Sequence, residues 1–241
     1  MSSLRSHMKQ RKTLAIWRGF LLPLGAVIGS LYSVQAEEVQ SHGHRFEHAV
    51  IQQITGLEHL PISYTSEWDI PAEFNKKTGL PISIKFIRWG NSIYLGDALR
   101  QRTSRQPFEM ILGFYEIDST KKSALLQAIY HLSFKPEDWD RWWGQVSAAE
   151  IESLINGIKK KPLAEAQAYA RKEAKRLRAK EGIIDINPKV NKDQRRIQCS
   201  IPFELFYSEI IKEKQLAQKN IELDGKSFPK TLKLGVRSRM E

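Results

Sequence analysis

Three residues of this chain have the types and spacing to hydrolyse a phosphate ester. Asp69 stands 14 residues before Ser83 and 16 before Lys85, and Ser83 and Lys85 share one face of any strand that holds them. Hydrolysis of a phosphodiester needs a divalent cation to polarise the phosphate and activate water, plus a fixed positive charge near the nucleophile or the developing charge. A carboxylate on one strand and a lysine on the next can converge across a ladder. Asp69 would then bind the metal, and Lys85 would orient water or stabilise charge. Oxygen ligands suit magnesium. The single cysteine, Cys199, excludes an internal disulfide and a multi-cysteine zinc site.

The elements that must position these residues are legible as periodicities. Phe46, Ala49, Val50 and Ile54 recur at helical spacing between Gly43 and Gly56, with Glu47 beside the apolar stripe. Ile62, Tyr64, Trp68 and Ile70 alternate with polar residues, which predicts a half-buried strand with Asp69 on its polar face. After the turn-forming Asn75-Lys76-Lys77-Thr78-Gly79, Ile82, Ile84 and Phe86 alternate with Ser83, Lys85 and Ile87 and predict its partner strand. Ile93-Tyr94-Leu95 reads as a short strand, Gly96-Asp97 opens a helix running to Arg100 or Gln101, and Phe108 to Tyr115 reads as a buried strand. Ser123 to Phe134 fits neither period. Arg196 to Ile201 reads as a last strand and Pro202 to about Lys219 as a helix, with a loosely structured tail from Leu223. The sum is a mixed α/β core.

An excess of basic residues, 38 against 27 acidic for a net charge of +11, favours a polyanionic or membrane-surface partner, nucleic acid first. The surplus concentrates between Lys159 and Gln198, where 13 basic residues face 5 acidic ones. Pro162 to Glu181 is alanine-rich, starts at proline and ends at Gly182, and reads as a long exposed helix. Arg171, Lys172, Lys175, Arg176 and Arg178 on it have few acids nearby, which favours phosphate contact, and Arg195, Arg196 and Gln198 suit base edges. Trp139, Trp142 and Trp143 suit a core edge better than base stacking, and His42, His44 and His48 read as surface histidines at a helix start rather than as metal ligands.

The chain resembles the PD-(D/E)xK nucleases, type II restriction endonucleases in particular. The resemblance rests on Gly43-His44-Arg45-Phe46-Glu47, Trp68-Asp69-Ile70-Pro71, Ile82-Ser83-Ile84-Lys85, Gly96 to Gln101 and Phe108 to Phe114, and covers roughly residues 43 to 116. It implies a restriction-endonuclease-like mixed sheet flanked by helices, extended by the basic helical part. It also implies magnesium-dependent cleavage of double-stranded DNA, no small-molecule cofactor, and a homodimer as an arrangement that sets one site on each strand. One position departs from the family: Ser83 stands where the motif has its second acid. Some restriction enzymes with serine there take the carboxylate from a downstream helix, which points to Asp97 beside Asp69 as metal ligand, with Glu47 and Glu73 as competing donors. If none reaches the metal, the protein binds DNA without cutting it.

The N-terminus has signal-peptide order. Arg5, Lys9, Arg11, Lys12 and Arg18 precede the apolar run from Gly19 to Val34, and Val34-Gln35-Ala36 offers a cleavage site before Glu37. The run is shorter than the roughly 20 residues of a spanning helix, so cleavage is preferred to an anchor, with an over-extended start as the other reading. An exported, non-specific nuclease follows from that reading. The expected organisation is a leader over 1–36, a nuclease domain over 41–225 that includes the basic arm, and a tail over 226–241.

Overall fold

The computed structural model describes residues 43–61, 66–178, 180–211 and 221–233, and all of them belong to one compact unit. The leader reading, His42, Ile62 and Tyr64 of the first strand, the end of the last helix and the end of the tail lie outside the described residues. The protein is an α/β fold with mixed sheets, and six helices lie among the described residues.

A four-stranded sheet organises the molecule, with strands β1 (Ile82–Arg88), β3 (Phe108–Asp118), β4 (Ser123–Phe134) and β9 (Thr231–Lys233) in that order. Strand β1 runs parallel to β3, and the other pairs are antiparallel. A parallel pair needs a crossover. Here strand β2 (Ile93–Asp97) and helix α2 (Ala98–Thr103) make it, and β2 joins a second sheet of order β2, β6 (Arg195–Ile201), β5 (Asp185–Val190). Both faces of the first sheet are covered, which is why β3 reads as a continuous apolar run.

Helix α1, residues 43–55, covers one face. Its buried stripe of Phe46, Val50 and Ile51 packs on Ile82, Ile84 and Ile111, and Phe46 stacks on Phe86 at 4.6 Å between ring centroids. Gly113 permits this approach, because a Cβ there would come within 2.5 Å of the Phe46 ring. The seating of α1, and hence of Glu47, depends on that missing atom.

The other face meets helices α3 (Pro136–Trp143), α4 (Ala148–Lys159) and α5 (Leu163–Arg178) together with the second sheet. Trp139, Trp142 and Trp143 are buried there, so they pack the core and are not available for base stacking. On α5 the stripe Ala166, Ala170, Ala174 and Leu177 recurs every three or four residues and is buried, so the helix is exposed on one face only. Strand β5 contains Pro188, tolerable because β5 lies at the sheet's edge.

The segment from Ser123 to Phe134 is a strand throughout, its mixed pattern explained by burial on both faces. The expected tail is different from a loose extension. Glu222-Leu223 and Lys226-Ser227 form a small hairpin, β7 and β8, and β9 then pairs with β4, burying Leu223, Phe228 and Leu232. A polar chain fastens that hairpin. His131 lies 2.9 Å from Asp224 on one side and 3.1 Å from buried Glu109 on the other, and Glu109 also accepts from Asn75 and Ser133.

Candidate active site

Strand β1 lies at the sheet's edge, and its free side shows how Asp69 is placed. Among the described residues, the strand expected through Asp69 is one antiparallel bridge, in which Ile70 and Ile82 exchange both backbone hydrogen bonds at 2.8 and 3.0 Å. A continuing ladder would next satisfy the outward N–H of Ile84 with a backbone carbonyl. The Asp69 side chain takes its place: the Ile84 N–H donates to Asp69 Oδ2 at 2.6 Å. The chain therefore bends through Glu67 to Asp69, and the carboxylate is pinned to the edge of the motif strand. The same oxygen receives the Ser83 hydroxyl at 3.4 Å and the Lys85 ammonium at 3.5 Å. Lys85 donates as well to the Ile84 carbonyl at 3.0 Å. Asp69 Oδ1 accepts no hydrogen bond from any described residue.

These groups open onto a cleft whose walls include Trp68, Asp69, Ser83, Lys85, Arg100 and Gln101. Trp68 and Phe108 also line it, their rings tilted against each other with centroids 5.2 Å apart. Glu47 approaches from α1. Its carboxyl is raised above the usual range, first by burial and next by the negative charge of Asp69, while His44 and Lys85 oppose the shift. Two carboxylates that repel each other beside one lysine, one of them with an oxygen that no described residue engages, make an electrostatic environment suited to a hard divalent cation. Asp69 and Glu47 are thus the carboxylates that could hold such an ion, Asp69 from the cleft wall and Glu47 from outside the residues that line it.

The structure brings Asp69, Ser83 and Lys85 together on the cleft wall, sets Glu47 within reach of the charges of Asp69 and Lys85, and uses Asp97 as a helix cap. Asp97 caps α2, its Oδ1 accepting the Arg100 N–H at 2.9 Å, and its charge acts on buried Cys199. It is held as a helix cap and does not line the cleft with Asp69. The helix-start signal identified it correctly, but the cap points the carboxylate back to its own helix. Glu73, exposed in the turn Ala72–Phe74, has no place on the cleft wall. No group of three or more histidine, cysteine or acidic residues among the described residues is arranged to hold a metal, and the His44 and His48 pair belongs to no such group.

The basic arm divides. Arg176 pairs with Glu173 at 2.8 Å and Glu150 at 2.9 Å, Lys180 pairs with Glu150 at 2.7 Å, and Arg178 bonds to the Ile186 carbonyl. Arg195 donates to the carbonyls of Ile158 and Lys161 and closes the end of α4. The expected shortage of acids was a count along the arm alone, and Glu150 comes from the neighbouring helix. Arg171, Lys172, Lys175 and Arg196 stay exposed and form no ion pair among the described residues, and Gln198 is half-buried opposite Asp97.

Comparisons with family models, with curated proteins and with solved structures find no match. The class of protein therefore rests on the chemistry of the site.

Proposed function

We propose that this chain is a divalent-metal-dependent deoxyribonuclease that hydrolyses phosphodiester bonds of double-stranded DNA, with the restriction-endonuclease-like core its sequence resembles. One observation carries the reading: Asp69, Ser83 and Lys85 meet at the free edge of β1, with Asp69 Oδ2 fixed by the Ile84 N–H at 2.6 Å. Magnesium, held by Asp69 and Glu47, would polarise the phosphate and acidify a bound water. Asp69 would offer its remaining oxygen to that ion, since the edge amide fixes the carboxylate's orientation. Lys85 holds positive charge beside it, anchored by the Ile84 carbonyl, where it can orient the attacking water and offset charge on the phosphorane-like transition state. Ser83 supplies no charge and steadies Asp69. The second carboxylate then comes from the opening helix as Glu47. The mixed sheet with helices on both faces agrees with the expected core.

Exposed Arg171, Lys172, Lys175 and Arg196 suit the phosphate backbone. Ser83 in the acid's usual position favours a second reading, an inactive DNA-binding protein with the same surface. A digest of supercoiled plasmid separates the two. With magnesium the protein should yield nicked or linear DNA, and with chelator none; binding without cleavage at any magnesium concentration overturns the nuclease reading.

A further inference from the structure

Helix α2 carries Arg100 and Arg102, with Arg105 just past its C-cap, and the three have different partners. Arg102 pairs with Asp140 at 2.6 Å and donates to the Val146 carbonyl, and Arg105 pairs with the same aspartate at 3.1 Å. Arg100 forms no ion pair with any described residue, and it lines the cleft with Asp69, Ser83 and Lys85. The other cation of the cleft, Lys85, is already engaged with Asp69.

The helix that presents Arg100 is held at both ends. Asp97 caps its start, the Gln101 side chain donates to the Leu95 carbonyl at 3.0 Å, and the Gln101 carbonyl accepts the Trp139 indole N–H at 2.6 Å. Where β2 bulges, Gly96 has φ +95°, and a Cβ there would lie 3.5 Å from Arg100 Nη2. Arg100 is exposed, and its guanidinium reaches back beside the strand at Gly96. A planar, permanently charged fork without a carboxylate partner suits phosphate oxygens, which it can meet with two parallel hydrogen bonds. Glu67, the other exposed acid on the cleft wall, forms no ion pair with it.

We infer that Arg100 binds the non-bridging oxygens of the phosphodiester on which Asp69 and Lys85 act. The inference rests on the nuclease reading for the reaction, but not for the binding. It recognises phosphate and not base, so it contributes to affinity for any sequence.

The probe is the dinucleotide d(TpT), which offers one phosphodiester, titrated by NMR with magnesium into the wild type, Arg100→Gln and Arg105→Gln. Arg100→Gln should weaken binding about tenfold, the scale of one charge-assisted pair of hydrogen bonds, with an unchanged thermal midpoint. Arg105→Gln removes the same charge from the segment that follows the helix and should leave binding as in the wild type. The inference fails if the wild type does not bind d(TpT), if Arg100→Gln binds it equally well, or if Arg105→Gln weakens it as much. If the wild type cuts no plasmid but Arg100→Gln still loses d(TpT) selectively, the nuclease reading falls and the phosphate assignment to Arg100 stands.

Discussion

Asp69 has two roles that substitution can separate. In the folded chain it replaces a missing strand partner, accepting the Ile84 N–H at 2.6 Å, and in the reaction it would hold the metal. A hydrogen bond to a charged group contributes about 1.5–3 kcal/mol. The Lys85 pair, at 3.5 Å with side chains 26% and 32% exposed, adds at most roughly 1 kcal/mol. Asp69→Ala loses both and leaves the amide of a buried residue without its acceptor, so it should cost about 2–3 kcal/mol. Asp69→Asn keeps an oxygen for the Ile84 N–H and should cost about 1 kcal/mol. Both variants should be inactive. The assay is urea unfolding in chelator beside plasmid cleavage in magnesium, comparing midpoints at constant slope. Equal stability of Asp69→Ala and the wild type would refute the claim that this carboxylate holds the bend. Cleavage by Asp69→Asn would remove it from the metal.

Glu47→Gln should lose magnesium-dependent cleavage and, because the folded carboxyl is raised by burial and by Asp69, unfold at a higher temperature in chelator at neutral pH. Asp97→Asn should keep cleavage, since its cap oxygen survives; the reverse pattern in a magnesium titration would return the second carboxylate to Asp97. Removing Arg171, Lys172 and Lys175 together should flatten the salt dependence of DNA binding by roughly 2–3 in the log–log slope, whereas Arg176→Ala should lower the thermal midpoint and leave that slope unchanged. Glu150 is held down to about 2, chiefly by the Lys180 hydrogen bond, against burial and with help from Arg176 and Ser147. A lowered carboxylate contributes stability above its unfolded value and loses it as pH falls through the folded one. Thermal scans should thus show the wild type's advantage over Glu150→Gln present above pH 4.5 and shrinking toward about 2; an advantage independent of pH contradicts the pairing.

Most of the framework was legible because burial writes its period into the chain. The helix from Gly43, the motif strand Ile82 to Ile87 and the buried strand from Phe108 follow from spacing alone, and all three are found. Asp69 was legible as a chemical residue but not as a bend: its flanking sequence alternates like a strand, and only the capture of the Ile84 amide by a side chain ends the ladder. Ser123 to Phe134 looked ambiguous because a strand covered on both faces loses its alternation. The tail was misread for a tertiary reason, since the short segment Thr231–Lys233 acquires a partner only when β4 is in place. Along the sequence Asp97 lies nearer the motif strand than Glu47 does, yet in the fold it is Glu47 whose carboxyl feels the charges of Asp69 and Lys85. Helix α1 crosses that distance by packing Phe46 on Gly113, a contact between residues far apart in the chain. Arg100 gave no signal, because its significance lies in lacking the acid that Arg102 and Arg105 share.

The central claim is that Lys85 works on a phosphodiester at the metal edge and is not merely one of many surface cations. Its most direct test measures cleavage and duplex binding for Lys85→Ala beside the wild type, at one salt concentration and saturating magnesium. The wild type should cut, and Lys85→Ala should bind DNA within a few-fold of it, since one lysine adds little to total phosphate contact, while cutting none. Cleavage by Lys85→Ala at the wild-type rate, or a wild type that binds DNA and never cuts it, would contradict the account.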